Sequence, residues 1–592
     1  MENQKIAAVF HEIADILEIQ GANRFRILAY RKAAQNISDL GFDVGDMYRS
    51  DPKKIDELPG IGKDLAAKIA EMIMTGQSEY HQELLKTFDK GLLEMLRVRG
   101  VGPRKVLLFY TNLGINSVEK LRAAANSGAL RDLPGMGEKS EKEILKSLED
   151  YDKHTERMMI SEAMVQVEEI IKYLKSCKAV KRLEYAGSLR RMKETVGDLD
   201  ILVAGTDHED IMEYFVNFGE VKQVIARGET KTSVILKSGI QADLRVIKEE
   251  TFGAAMHYFT GSKGHNVALR DRAKRMGLKV SEYGVFKLSK KKGTDEVVET
   301  LIGGKTEEEV FKAVGLPFIV PEMREDRGEI LAAEKGELPK IIQLSDLRGD
   351  LHVHSKWSDG KQEIDEIAKA YRAAGFEYFA LTDHSHSLAV AHGLTPERFE
   401  MQWDEIDILN KEYADEAKEK SLPSFRILKG VECDILPDGS MDLPDEILEK
   451  MDIVIASVHS RFNLSGKEQT ERVLKAFQNP YVKIFGHPSG RLINKREPYD
   501  IDMERIIDEA VKLGIALEIN SQPERLDLFD YYCKIAKVKG AKFTIDSDAH
   551  HTSQIHCLNY GIGVARRGWV EKNDVLNTLP LKQFLKSLRK TH

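Results

Sequence analysis

Cysteine is scarce in this 592-residue chain: Cys177, Cys433, Cys533 and Cys557 stand far apart and form no C-x-x-C pair. That excludes a disulfide framework and a zinc ribbon, and makes buried thiols the expected fate of most of them. Long apolar runs are missing as well; no stretch approaches the roughly 20 residues that span a bilayer. The opening "MENQKIAAVFHEIADIL" carries acids inside its apolar stripe, which argues against a secretion signal and for a cytoplasmic protein with no membrane partner. Nor is there an excess of positive charge, the formal net charge being −8.

That average conceals an asymmetry. Residues 1–320 hold 50 Lys+Arg against 49 Asp+Glu, while residues 321–592 hold 38 against 47. Between Lys263 and Lys292 the only acids are Asp271 and Glu282, among ten Lys/Arg. A local basic stripe is what phosphate-backbone contact needs, although the same stripe also fits a solvated helix face. With 42% hydrophobic and 31% charged residues the chain has ample material for several cores, and its length suits about four domains.

What is present begins with a repeat. "LPGIG" at Leu58, "VRGVG" at Val98 and "LPGMG" at Leu133 each precede a polar, lysine-containing helical pattern. Paired glycines (Gly60 and Gly62, Gly100 and Gly102, Gly135 and Gly137) permit a tight turn into a helix N-terminus, whose free N–H groups can hold a phosphate without reading a base. One such loop is also an ordinary helix connection. Three within 150 residues favour DNA-backbone binding, and they resemble the helix-hairpin-helix motif.

Further on, "AGSLRRMKETVGDLDILVAG" runs from Ala186 to Gly205. Side chains alternate along a strand, so Asp198 and Asp200 share a face, and they repel unless a cation lies between them. "TSVILKSGIQADLRVI" reads as two strands joined at Ser238-Gly239, and supplies a third acid, Asp243, among apolar neighbours. Three hard oxygen donors suit Mg²⁺, with Gly187-Ser188 offering N–H and hydroxyl groups to a triphosphate. Taken alone, D-x-D also fits a strand with surface acids.

Together, "GSLRR…GDLDIL" and "YFTGSKGHNVALRDRAKRMGLKVSEYG" resemble the palm and thumb of family X DNA polymerases, and "AYRKAA" with "LPGIGKDLAAKI" resembles that family's lyase-like domain. The resemblance implies that Asp198, Asp200 and Asp243 hold two Mg²⁺ or Mn²⁺ ions. It also implies that Gly187, Ser188 and Arg191 bind the triphosphate; that Tyr258, Phe259, Gly261 and Ser262 line the nucleotide; and that Asn266 and Arg270 approach the nascent pair and template. Lys68 falls where the family's lyases place their Schiff-base lysine, with Arg26 and Tyr30 flanking a 5′-phosphate. Two positions depart: Gln241 and Lys263 stand where animal members have an arginine and an aspartate.

The remainder alternates short strands ("FEYFALTDH", "DIVIASVH", "VKIFGHP", "IALEIN", "KFTIDSDAH") with amphipathic helices, which predicts a parallel sheet closed into a barrel. Functional side chains are then expected at strand C-terminal ends. There lie His352, His354, Asp359, His384, Glu432, His459, His487, Asp548 and His550. Imidazole with carboxylate suits Zn²⁺, Mn²⁺ or iron, and nine donors suit three ions. The set resembles the PHP (polymerase and histidinol phosphatase) domain with its ligand positions complete, which implies a working phosphoesterase.

The expected fold is therefore multidomain. A lyase-like helix-hairpin-helix domain (1–90) and a fingers-like one (91–157) precede an α+β nucleotidyltransferase palm (158–250) and thumb (251–315). A Pro-containing, mixed-charge linker (316–344) leads to an α/β distorted barrel, the PHP domain (345–575). The expected activity is short-gap filling in base excision repair by a monomer acting on gapped or nicked DNA and dNTPs. The PHP part is expected to add a 3′–5′ exonuclease and AP endonuclease activity, and Lys68 a 5′-dRP lyase. The rivals are a template-independent nucleotidyltransferase and a DNA-bridging scaffold with silent metal centres.

Overall fold

The computed structural model describes residues 3–38, 44–58, 60–96, 98, 101–154, 157–290 and 297–588. They form two compact units, 1–157 and 158–592. No described helix is long and apolar enough to cross a membrane.

The first unit is helical and has two cores. One gathers Ile6, Phe10, Ile13 and Tyr30 with Ile69 and Met72. The other gathers Met95, Val106, Phe109, Leu121 and Leu148. Three helices, Lys63–Thr75, Pro103–Leu113 and Glu138–His154, follow the three glycine loops. The loops share one hydrogen bond. The residue between the glycines donates its N–H three residues back, Ile61 to Leu58, Val101 to Val98 and Met136 to Leu133, each at 3.0 Å. Gly60 and Gly135 both have φ of 75°, a left-handed value that side chains rarely adopt. Gly100 lies outside the described residues.

In the second unit the chain first builds a five-stranded sheet in the order Val180–Tyr185, Asp198–Gly205, Gln241–Val246, Lys231–Leu236, Val221–Arg227. The two strands carrying the acids are parallel neighbours, and the others pair antiparallel. Ile201, Leu202, Val203 and Ala204 are all buried, so both faces of that strand are covered beyond its acidic start. The helices Phe252–Thr260 and Lys263–Arg275 and a three-stranded antiparallel sheet follow.

Residues 316–344, expected as a linker, are packed. Leu316, Ile319, Met323, Ala333 and Ile341 join the core formed by Leu269, Val285 and Phe311. Arg324 is fully buried against Glu307 (2.6 Å). Its proline and charge content misled because several of its charged residues, Arg324, Glu325 and Glu329 among them, are held in buried or nearly buried pairs rather than solvated.

Seven parallel strands then run in sequence order from Gly349–Val353 to Phe543–Asp546. A bridge between Val353 and Ala549 brings the last strand back to the first and nearly closes the barrel. Along Tyr378–Leu381 and Ile453–Ser457 alternate side chains enter two different cores. Phe584, from the helix Leu581–Leu588, closes one of them by stacking on Tyr378. All four cysteines are buried and unpaired.

Candidate catalytic centres and DNA-contact loops

At the first centre, parallel pairing sets Asp200 opposite Asp243 and Asp198 opposite Gln241. Burial, then the charges of Asp198 and Asp243, push the Asp200 carboxyl up to about 7. Burial works in the same direction on Asp243, but Lys231 Nζ at 2.5 Å outweighs it and holds that carboxyl below its usual range. Gln241 Nε2 also donates to Asp243 (2.8 Å). Three carboxylates this close, one of them driven toward its neutral form by the others, form a donor set whose charge a divalent cation would balance. Lys231 was not singled out in the sequence; a lysine at the start of an apolar strand carries no distinctive signal.

Gly187 has φ of 65°, and a Cβ there would lie 2.5 Å from the Asp200 carboxylate. Only glycine lets this loop pass so close to the acids. Ser188 lies half-buried beside it in the short helix Gly187–Arg190. Arg191 is paired with Glu325 (2.7 Å) and donates to the Thr260 carbonyl (2.7 Å).

Tyr258 and Phe259 end the helix Phe252–Thr260, and Arg245 lies over the Phe259 ring at 4.3 Å. Asn266 is largely buried and donates to the Tyr258 carbonyl (2.7 Å), while Gly261 gives its Oδ1 room. Ser262 Oγ caps the next helix by accepting from His265 N. Arg270 is exposed. The basic stripe is thinner than its sequence: Arg272 pairs with Glu334 and Lys279 with Glu299. Lys291 and Lys292 lie outside the described residues.

In the first unit Lys68 Nζ contacts Asp64 (2.6 Å) and lies over the Tyr80 ring. Arg26 donates to Tyr80 Oη (2.8 Å), and buried Tyr30 stacks near the same ring. Tyr80 thus joins three residues that the sequence separates, and it was not anticipated. Burial raises the Tyr30 hydroxyl to about 12, and it has no hydrogen-bond partner.

At the second centre all nine anticipated donors converge. Three groupings could each hold an ion: His354, Asp359, His384 and His550; His352, His354 and Asp548; His384, Glu432 and His459. His487 Nε2 meets Glu432 at 2.7 Å. His354 Nδ1 and His487 Nδ1 are buried without a hydrogen-bond partner, while His352 Nε2, His354 Nε2 and His384 Nδ1 face carboxylate oxygens of Glu432 and Asp548 at 3.0–3.2 Å. Orphaned imidazole nitrogens are costly in a protein interior, and they fit cation ligands.

Electrostatics say the same. Burial lowers His459 and His550, yet neighbouring carboxylates overcome it and raise each to about 9. His354, dominated by burial and then by His550 and His384, falls to about 3. Protons on some imidazoles thus balance the carboxylates, a role that cations would take over on binding.

A second layer was missed. Glu518 faces His352 Nδ1 at 2.6 Å, and Asp434 faces His459 Nδ1. Such contacts fix the tautomer and aim the other nitrogen at a metal. Below them Asp350 accepts from Tyr371 (2.7 Å) and from Ser547 N, and Asp546 accepts from Leu351 N. The available signal was an acid within an otherwise apolar strand, as in "IALEIN".

Comparison with known proteins identifies the family. The chain matches a helix-hairpin-helix domain over residues 1–78, a SAM-like helix-hairpin-helix tandem over 92–150, the DNA polymerase beta thumb over 255–325 and the PHP domain over 350–522. It is 39% identical to the DNA polymerase/3′-5′ exonuclease PolX of Bacillus subtilis (strain 168) over 594 residues, 99% of this chain and 100% of that one. The chain belongs to the bacterial family X DNA polymerases that carry a C-terminal PHP domain. Two further relatives match part of this family X polymerase. DNA polymerase lambda of Rattus norvegicus is 25% identical over 349 residues, 55% of this chain and 56% of its own. A probable phosphatase of Thermoanaerobacter sp. (strain X514) is 29% identical over 254 residues, 41% of this chain and 95% of its own.

Proposed function

We propose that this family X polymerase extends primers across short gaps in damaged DNA and trims 3′ ends, with one centre for each reaction. The observation that carries the reading is the full-length identity to a polymerase and 3′-5′ exonuclease, joined to two complete donor sets in one compact unit.

In extension, the primer 3′-hydroxyl attacks the α-phosphorus of a dNTP and pyrophosphate leaves. Asp198, Asp200 and Asp243 would hold two divalent cations, Mg²⁺ or Mn²⁺, and the nine PHP donors up to three of Mn²⁺, Zn²⁺ or iron. Such cations activate the attacking hydroxyl or water and neutralise the leaving oxygen. The protein's own share is to orient. Gly187 brings loop amides beside Asp200, Arg191 supplies a guanidinium for the triphosphate, and Tyr258 and Phe259 offer the nucleotide a wall. The glycine loops hold DNA by its backbone, so binding does not depend on sequence.

Lys68, close to Arg26 and Tyr80, is the proposed lyase nucleophile. The deciding experiment is a gapped-duplex assay with dNTPs and Mg²⁺ or Mn²⁺, with sizing of extended and shortened primers. Extension that follows the template supports the reading. Extension indifferent to template overturns it in favour of a template-independent transferase.

A further inference from the structure

The loop that carries Arg191 is held from the PHP side of the molecule. Arg191 Nε and Arg567 Nη1 share one oxygen of Glu325, at 2.7 and 2.9 Å. Arg567 Nη1 also donates to the Arg191 backbone carbonyl (3.0 Å), and its Nη2 pairs with Asp530 (2.6 Å). Arg327 pairs with the same Asp530 oxygen (3.0 Å). A few residues along the loop, Glu194 pairs with Arg491 (2.8 Å), four residues beyond the metal-ligand candidate His487. The helix Leu558–Arg567 presses Gly563 against Met192, where a Cβ would sit 2.8 Å from Met192 Cε.

The charges do not cancel. Arg191, Arg567 and Arg327 gather around Glu325 and Asp530, Lys193 adds a further positive charge, and the nearby Glu194 is already paired with Arg491. The side chains of Arg191 and Glu325 are each 11% exposed and that of Arg567 2%, so the cluster is poorly screened by solvent. With Arg567 in place, Glu325 is shared, and Arg191 keeps positive charge to offer an anion. Without it, Glu325 would turn more fully to Arg191, with Lys193 its remaining cationic neighbour.

We propose that Arg567, a residue of the PHP part, is a positioning residue for the polymerase centre: by competing for Glu325 and holding the Arg191 carbonyl, it keeps Arg191 able to bind the dNTP triphosphate. The proposal rests on the reading of Arg191 as a triphosphate ligand. It makes the two enzymes of the chain one machine for nucleotide capture, because the arm that grips the nucleotide is anchored on the nuclease.

The test uses full-length Arg567→Gln, Glu325→Gln, the double variant and Arg191→Ala. The readouts are the dNTP Kd on gapped DNA with a dideoxy-terminated primer and Mg²⁺, the KM and kcat of extension, and exonuclease rate on single-stranded DNA. Arg567→Gln should weaken dNTP binding about tenfold, as expected for loss of one poorly screened charge. The effect should fall on KM, with exonuclease within about twofold of wild type. Glu325→Gln should tighten binding, and the double variant should recover most of the loss, a rescue that a purely structural role would not produce. If Arg567→Gln does not fold, the sign of the Glu325→Gln effect decides alone. Unchanged or weaker binding by Glu325→Gln overturns the proposal, as does an Arg567→Gln defect shared equally by both activities. If Arg191→Ala weakens binding while Arg567→Gln does not, the proposal falls and the Arg191 reading stands. If Arg191→Ala binds dNTP normally, both fall.

Discussion

Asp200 stands directly opposite Asp243 on neighbouring parallel strands, and the two carboxylates are treated differently by their surroundings. Lys231 helps keep Asp243 charged, whereas burial and two acidic neighbours push the Asp200 carboxyl up to about 7. Replacing both Asp198 and Asp200 with alanine removes most of the cation-holding charge. Extension should fall by at least about a thousandfold, each factor of ten corresponding to about 1.36 kcal/mol of lost transition-state stabilisation. The exonuclease, served by other residues, should persist. Primer extension and primer shortening measured on one preparation check both halves; undiminished extension sinks the assignment.

His352→Ala with His354→Ala should have the reverse effect. Both imidazoles are buried at the second centre, each with Nε2 facing a carboxylate oxygen at 3.2 Å. Bound metal, measured by atomic emission on dialysed protein, should drop, and primer shortening should vanish while extension continues. Retained nuclease activity would place that reaction elsewhere.

Lys68→Ala should abolish borohydride trapping on a 5′-deoxyribose-phosphate end while leaving gap filling on a phosphorylated gap unchanged. The motivation is the convergence of Lys68 and Arg26 on Tyr80. Trapping as efficient as wild type removes Lys68 from the lyase role.

Glu325 supplies a pH prediction. Burial alone would raise its carboxyl, but Arg567 and Arg191 lower it to about 2 from an ordinary 4.5. A carboxyl depressed by folding stabilises the native state fully above the unfolded value, and the contribution fades as pH falls from 4.5 through about 2. The shift corresponds to about 3 kcal/mol at most, in order of magnitude. Unfolding of wild type and Glu325→Gln followed from pH 6 to pH 3 should therefore show a stability gap that narrows with acid. A gap that stays constant over this range contradicts the linkage.

Much of this was legible in the chain. Strand alternation placed Asp198 and Asp200 on one face, the Ser238-Gly239 turn joined Lys231–Leu236 to Gln241–Val246, and the glycine loops turn as their spacing implied; parallel pairing with the acidic strand then set Asp243 opposite Asp200. Short apolar strands ending in His or Asp predicted the barrel and its donors. The long strand Arg426–Asp434 was not recognised as a strand, because Lys429 and Glu432 interrupt its apolar pattern.

By itself, then, the sequence determined what local periodicity and turn chemistry can encode: the helices after the glycine loops, the acidic strand, and the nine side chains proposed as donors. Tertiary structure alone decided what depends on partners distant in the chain. Residues 316–344 became core rather than linker because their charges found buried mates, as Arg324 did in Glu307. Glu518 became the partner of His352 across 166 residues. Arg567 reached the Arg191 carbonyl across 376 residues. A charge's role depends on which opposite charge shares its low-dielectric surroundings, and no window of sequence contains that information.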